Sequence, residues 1–400
     1  MNRRGMLDAV VVGGGVVGAA SALMLAREGL QVALVEARRP PAWQRERPDL
    51  RVFAFAPDNA ALLDGIGAWP AVLQARVQAY RRMQVWDAGG GDALVFDADA
   101  LGQPQLGWIV ENALLVDRLW GALEAAGVRV HCPATVEALE QDADGVRLRL
   151  DDGVPLHARL ALATDGAGSA LRGMAGIEVR TQDARQRGVV GYIACERPHA
   201  QACYQRFQPG GPLALLPFAD GAFQAAPGHV CSIVWSVPEA DAERVLALPD
   251  EAFAQELTAA SGGVLGALRP LTPRAAFPLR RQLARSMVAG RVLLLGDAAH
   301  VVHPLAGQGV NLGLRDVSAL QAQLRKAGQA RGDIASPQRL ARWARARMAD
   351  NTASAHAFDA INRVYRSDAL LPVLLRGHAF GIAQRLPMVG RALWRHAAGL

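Results

Sequence analysis

Three glycine-bearing segments, far apart in the chain, carry residue types able to hold a phosphorylated cofactor. The first reads GGGVVG, in which Gly13, Gly15 and Gly18 form GxGxxG ahead of Val16 and Val17. Gly13 permits a tight turn, Gly15 lets the backbone approach a pyrophosphate, and Gly18 allows a helix to pack closely on a strand. Glu36, just beyond the next apolar run and followed by Ala37 and Arg38, is placed to accept hydrogen bonds from a ribose. The second segment, Gly290 to Val317, reads GRVLLLGDAAHVVHPLAGQGVNLGLRDV. There Gly296 and Asp297 end a short apolar strand, and Gly307, Gln308, Gly309, Val310 and Asn311 lead into a helical pattern. A helix N-terminus with free N–H groups would then follow a loop with few side chains to block a ligand. Alone, this loop reads equally as an ordinary strand-to-helix turn. The third segment, Leu160 to Arg172, runs an apolar strand into Thr164, Asp165 and Gly166.

The elements around these segments decide how they are read. Leu7 to Val12 is an apolar strand, Val16 to Arg27 a buried helix, and Gln31 to Val35 the next strand. A strand, glycines, helix, strand and terminal acid in that order make dinucleotide binding the reading of the N-terminus. Val292 to Leu295 forms the strand before Gly296, and Leu312, Leu314, Val317 and Leu320 mark the helix that Asn311 opens. The cofactor-binding domain is therefore expected in pieces: 1–75, 107–180 with a helix from Ala113 to Ala126, and 285–330. The stretches 76–106 and 181–284 read as β-rich, with alternation at Val189 to Cys195 and Cys231 to Val237. Residues 331–400 read as helical. The expected fold class is α/β, a Rossmann-like domain interleaved with a β-rich substrate domain, plus C-terminal helices.

The three segments together narrow the cofactor. An N-terminal GxGxxG, a mid-chain ATDGAGSALR and a late LLLGDAAHVVHPLAGQGVNLGLRDV resemble the flavin-dependent aromatic hydroxylases of the para-hydroxybenzoate hydroxylase type. HPLAGQGVNLGLRDV is most similar to the branch that hydroxylates polyprenyl phenols in ubiquinone biosynthesis. DLRVFAF, LGWIVENALLVDRLW, GPLALLPF and the ending RALWRHAAGL resemble that branch too, so the likeness spans nearly the whole chain. One departure is His303 before Pro304, where an asparagine is common in the family.

The resemblance implies FAD as cofactor, NAD(P)H as transient electron donor, O2 as co-substrate and a polyprenylated phenol or quinol as substrate. It implies that Asp297 and the loop Pro304 to Asn311 approach the flavin, with the helix dipole favouring its anionic reduced form. Arg51 resembles the arginine that approaches the FAD pyrophosphate, an ordinary surface arginine being the alternative. Asp165 and Gly166 resemble the family's flavin-and-nicotinamide box, and Val136 is expected along the adenine. His303 is the titratable side chain of the late loop and a candidate, with Pro304 beside it, for polarising or protonating the phenol. A reduced flavin that meets oxygen must be kept from water. Tyr192, Phe207, Leu215, Leu216, Pro217, Phe218 and Trp235 are the candidates for a bulky lid, each being equally a plain core residue.

Composition bounds the rest. With 400 residues and 51% hydrophobic content, the chain can bury a large core divided between two domains. No apolar run reaches the length of a membrane span, the start lacks the pattern of a signal peptide, and four scattered cysteines without CxxC pairing fit a reducing cytoplasm. The net charge of +6 is a property of the tail: from Arg331 to Leu400 there are eleven arginines against four aspartates. Arginines 376, 385, 391 and 395 are interleaved there with apolar residues, so the tail either docks peripherally in an anionic headgroup layer or packs on the body or a partner subunit. No binding module accompanies the charge, which argues against nucleic acid. No second GxGxxG follows a strand, so a separate nicotinamide domain is not expected. A monooxygenase of a small soluble aromatic, a flavin oxidase or reductase, and a flavin-holding scaffold of a biosynthetic complex remain as alternatives.

Overall fold

Continuous apolar runs such as LDAVVV and VALV cannot expose a face to water, so they lie inside a parallel sheet covered on both sides. The computed structural model describes residues 6–302, 309–329 and 333–366. Its eight-stranded sheet runs Val288–Ala289, Val292–Leu294, Pro155–Ala163, Leu7–Val12, Val32–Val35 and Arg129–His131, and two further antiparallel strands, Val136–Gln141 and Val146–Leu150, extend from Pro155–Ala163. From Val292–Leu294 to Arg129–His131 the neighbours are parallel. The helices Val16–Arg27, Asn112–Leu123 and Gly309–Gln329 join these strands in one buried aliphatic core that includes Leu23, Leu34, Leu162 and Leu314.

A nine-stranded, largely antiparallel sheet stands apart from it. Its long members are Val179–Cys195, Ala275–Ala284 and Val230–Pro238, and its order continues through Leu213–Pro217 and Ala202–Phe207 to Arg82–Asp87 and Leu94–Asp97. The helices Glu239–Ala247 and Asp250–Ala260 cover one face, where Val189, Ile233 and Trp235 pack with Phe253 and Leu257. A small third sheet of Val52–Phe55, Gly107–Glu111 and Gln78–Tyr80 has no counterpart in the sequence reading. Its strands are three to five residues long and give periodicity little to act on. The helix read as Ala113 to Ala126 spans Asn112–Leu123, and the late helix, described over Gly309–Gln329, already includes the two residues before Asn311. The C-terminal region contributes one long helix, Pro337–Arg366; the arginine-rich tail beyond it lies outside the described residues. No described helix is long and apolar enough to cross a membrane.

Candidate active site

Register brings the three glycine segments together. Val12 pairs with both Val35 and Ala163, and Ala163 pairs with Leu294, so the carboxyl ends of four parallel strands form one row. The turns that follow them therefore stand side by side at the edge where open α/β sheets bind ligands. Gly13 has φ +103°, and a Cβ there would lie 2.5 Å from the Thr164 carbonyl oxygen. Thr164 secures this contact by donating its hydroxyl to the carbonyls of Val12 (2.8 Å) and Gly13 (3.0 Å). At Gly18 a Cβ would sit 1.8 Å from the Gly13 carbonyl oxygen, so helix and turn touch through backbone alone. Gly15 differs: a Cβ there would meet nothing within 4 Å. It caps the helix Val16–Arg27 without any side-chain cap, and no acidic residue occupies the first turn. Unused N–H groups at a helix start suit an anionic ligand.

The row of turns opens on a cavity of about 970 Å3. Gly13, Gly15, Val16, Val17, Glu36, Ala37, Arg51, Val136, Thr164, Asp165, Gly166, Asp297, Gly309 and Val310 line it. Gly15, Gly166 and Gly309, one from each segment, thus face the same space. Four other candidates stand off the wall. Gly18 is spent on helix packing, and Gly296, at φ +59°, sits against Val17, where a Cβ would come within 3.1 Å. Arg38 is exposed and only its backbone N–H engages Glu36, at 3.0 Å. Asn311 is fully buried and ties the late helix to a neighbouring strand: its amide donates to the Ala54 carbonyl (2.8 Å), and its oxygen accepts from the Ala56 N–H (3.0 Å) and the Asn59 amide (2.9 Å). Its short polar side chain serves buried backbone groups that would otherwise lack partners. His303, Pro304, Gly307 and Gln308 lie outside the described residues.

The acids of the site are already oriented. Glu36 accepts the Gly14 N–H at 2.5 Å and remains on the cavity wall. Asp165 accepts from the Ser169 hydroxyl and from the Leu171 N–H (3.1 Å), which fixes the turn around Gly166, a residue at φ +83°. Arg172 bridges two of the turns, donating to the carbonyls of Ala298 and Ala167, both at 2.9 Å. Its burial pulls the guanidinium pKa downward while Asp165 opposes the shift. Arg51 lies on the wall with its guanidinium 5.3 Å from the Phe53 ring centre. The loop that carries it is supported from below: the Tyr192 hydroxyl donates to the Asp49 carbonyl at 2.6 Å, and Glu111, paired with the buried Arg76 at 2.8 Å, accepts the Asp49 N–H at 2.8 Å.

Opposite the turns, the wall belongs to the antiparallel sheet. Val190, Val234 and Ala214 are directly in register across three strands and all line the cavity, with Leu216, Phe277 and Leu279 near them. The bulky lid read from sequence is therefore corrected: of its candidates only Leu216 lines the cavity. Side chains alternate across a strand, so Leu215 and Trp235 point to the helix-covered face while their neighbours Ala214 and Val234 meet the cavity. Tyr192 and Phe218 pack with tilted rings, centres 4.5 Å apart, in the apolar cluster that backs Leu216, Ala214 and Val234, and neither lines the cavity. Sequence reasoning also passed over Gly14, where a Cβ would fall 2.6 Å from the Trp120 ring; the Trp120 indole donates to the Gly14 carbonyl at 2.7 Å. The signal was present in the unbroken run Gly13 to Gly15, but its partner lies 106 residues away.

Known proteins agree with this geometry. Residues 6–352 match the FAD binding domain family. The chain is 37% identical over 98% of its length to the ubiquinone hydroxylase UbiL of Rhodospirillum rubrum, of which it covers 89%. It is 36% identical to the 3-demethoxyubiquinol 3-hydroxylase of Escherichia coli, with 98% of each chain covered. The chain belongs to the FAD-dependent hydroxylases of ubiquinone biosynthesis. FAD is its cofactor and monooxygenation its reaction class. Human ubiquinone biosynthesis monooxygenase COQ6 is 32% identical over 92% of the chain and 87% of the human protein. The fold is shared with p-nitrophenol 4-monooxygenase PnpA of Pseudomonas putida (TM-score 0.75, 20% identity, 98% of both chains covered). It is also shared with Klebsiella pneumoniae HpxO complexed with FAD (TM-score 0.74, 21% identity, 97% and 99% covered). The cavity suits the cofactor: open space over Gly15, an uncapped helix start beside it and a carboxylate at Glu36 make a cradle for a dinucleotide.

Proposed function

We propose that this protein hydroxylates the ring of a polyprenylated phenol or quinol, taking electrons from NAD(P)H and an oxygen atom from O2. The observation that carries the reading is the pairing, around one cavity, of three glycine turns on one side with an in-register aliphatic row, Val190, Val234 and Ala214, on the other. Residues 1–75, 107–180 and 285–330 then form the cofactor-binding domain, and 76–106 with 181–284 the substrate domain. FAD supplies electron transfer and oxygen activation when bound. Gly13 to Val17 and Arg51 would hold its pyrophosphate, Glu36 and Val136 its adenosine side, and Asp165, Gly166, Asp297, Gly309 and Val310 the remainder. The aliphatic row excludes water from the reacting face and receives an apolar ring. Phe277, on the cavity wall yet 40% exposed, supports a route by which a long apolar tail leaves the chamber. In this proposal His303 exchanges a proton with the phenol, and the arginine-rich tail after Arg366 rests on an anionic membrane surface.

Steady-state assays test the reading. Purified protein should release FAD, and NAD(P)H oxidation should be coupled to a hydroxylated product with a polyprenylated phenol in detergent. Coupled turnover only with a small soluble phenol would move the assignment to that class. Oxidation of NAD(P)H without product from either would favour a flavin-holding scaffold.

A further inference from the structure

A buried charge cluster lies behind the cofactor turn and takes no part in lining the cavity. Asp316, on the helix Gly309–Gln329, is fully buried, and both its carboxylate oxygens are used twice. One accepts the Gly296 N–H at 3.0 Å and meets the His300 Nε2 at 2.6 Å; the other accepts Arg347 Nε at 2.8 Å and the Asn351 amide at 3.1 Å. His300 is buried too, and its Nδ1 has no partner among the described residues, so its ring is held through Nε2, which donates to the carboxylate. Arg347 and Asn351 come from the C-terminal helix Pro337–Arg366, where the guanidinium also grips the Asn351 oxygen at 2.8 Å.

The geometry has one consequence for the cavity. Gly296 immediately precedes Asp297, and His300 immediately precedes Val301; Asp297 and Val301 are on the cavity wall, while Gly296 and His300 are behind it. Turn and helix are in close contact, since a Cβ at Gly313 would come within 3.0 Å of the Gly296 Cα and within 2.7 Å of the Val17 side chain that also lies against Gly296. We infer that Asp316 is a positioning residue for FAD: through Gly296 and His300 it sets the wall residues Asp297 and Val301, and Arg347 sets Asp316, so that the C-terminal helix contributes to cofactor affinity without touching the cavity. A carboxylate suits this task because it can accept from four donors at once, which an amide cannot. Burial works against the ionised form, but His300 and Arg347 beside it override that and hold the carboxyl below its usual range.

The inference rests on the cavity being the FAD site, and the experiment separates the two. Deflavinated protein is titrated with FAD, following flavin fluorescence, and the rise in Tm at fixed FAD is recorded for wild type, Asn351→Ala, Arg347→Lys and the charge-free double variant Asp316→Asn with Arg347→Met. Positioning predicts an FAD Kd raised at least tenfold in the double variant, intermediate in Arg347→Lys, and a smaller FAD-induced rise in Tm. A purely structural cluster predicts that apo- and holoprotein Tm fall in parallel, with Kd and the FAD-induced increment unchanged, and that result overturns the inference. Any member of the series that folds decides the matter by the same two measurements. If Gly15→Ala also leaves the Kd at the wild-type value, it is the placement of FAD that fails, and not the role of Asp316 alone.

Discussion

Gly15→Ala and Gly18→Ala, three residues apart in one motif, should fail in opposite ways. At Gly15 the backbone is extended at φ −67°, which alanine adopts freely, and its Cβ would enter open cavity. The entropy gained by replacing glycine is worth about 0.4–1 kcal/mol. Losing glycine at a helix cap costs a similar amount. The two nearly cancel, so apoprotein stability should change by less than about 1 kcal/mol. The methyl group would stand where a pyrophosphate must approach backbone N–H groups. Each charge-assisted hydrogen bond lost there is worth about 1.5–3 kcal/mol, which lowers affinity roughly 10- to 100-fold. At Gly18 the added Cβ would meet the Gly13 carbonyl oxygen at 1.8 Å, a backbone atom that cannot swing aside. Overpacking of this kind costs about 1–3 kcal/mol or more, and it should appear in the apoprotein itself. The assay is denaturant unfolding of deflavinated protein alongside FAD titration. Wild-type FAD affinity in Gly15→Ala, or an apoprotein destabilised as much as Gly18→Ala, would refute the reasoning.

Three further outcomes follow from the same geometry. Asn311→Ala strips partners from the Ala54 carbonyl and the Ala56 N–H, at about 1–3 kcal/mol per buried group, so its denaturation midpoint should fall by an amount matching roughly 3 kcal/mol or more. Val234→Trp fills the centre of the aliphatic row; KM for a polyprenylated phenol should rise severalfold while FAD affinity stays at the wild-type value, and a lost flavin would contradict the two-sided cavity. Because the Asp316 carboxyl is held below its ordinary value in the folded protein, its contribution is complete above the unfolded pKa near 4 and is lost as pH falls further. Unfolding measured from pH 6 down to pH 3 should therefore show a smaller acid-dependent loss in the variant carrying both Asp316→Asn and Arg347→Met than in wild type.

The sequence by itself determined which residues could make the turns. GxGxxG between Leu7–Val12 and Val16–Arg27 was legible because backbone sterics demand glycine there, and all-apolar runs announced strands buried on both faces. The family likeness was legible in the motifs of the late and middle segments, and matches to known proteins agree with it. What the chain order could not contain is register. Only strand pairing places Val12, Ala163 and Leu294 in one row, and only that row makes three distant turns a single site. The same holds for Asn311, which the late motif places at the start of a helical pattern but whose side-chain partners, Ala54, Ala56 and Asn59, are more than 250 residues away. The lid failed for a related reason: bulk is a property of a residue, whereas facing the cavity depends on strand phase, and the phase put Ala214 and Val234 inward with Leu215 and Trp235 behind. Local sterics are written residue by residue; which surfaces meet is settled by long-range packing, and in this protein that packing built the cavity.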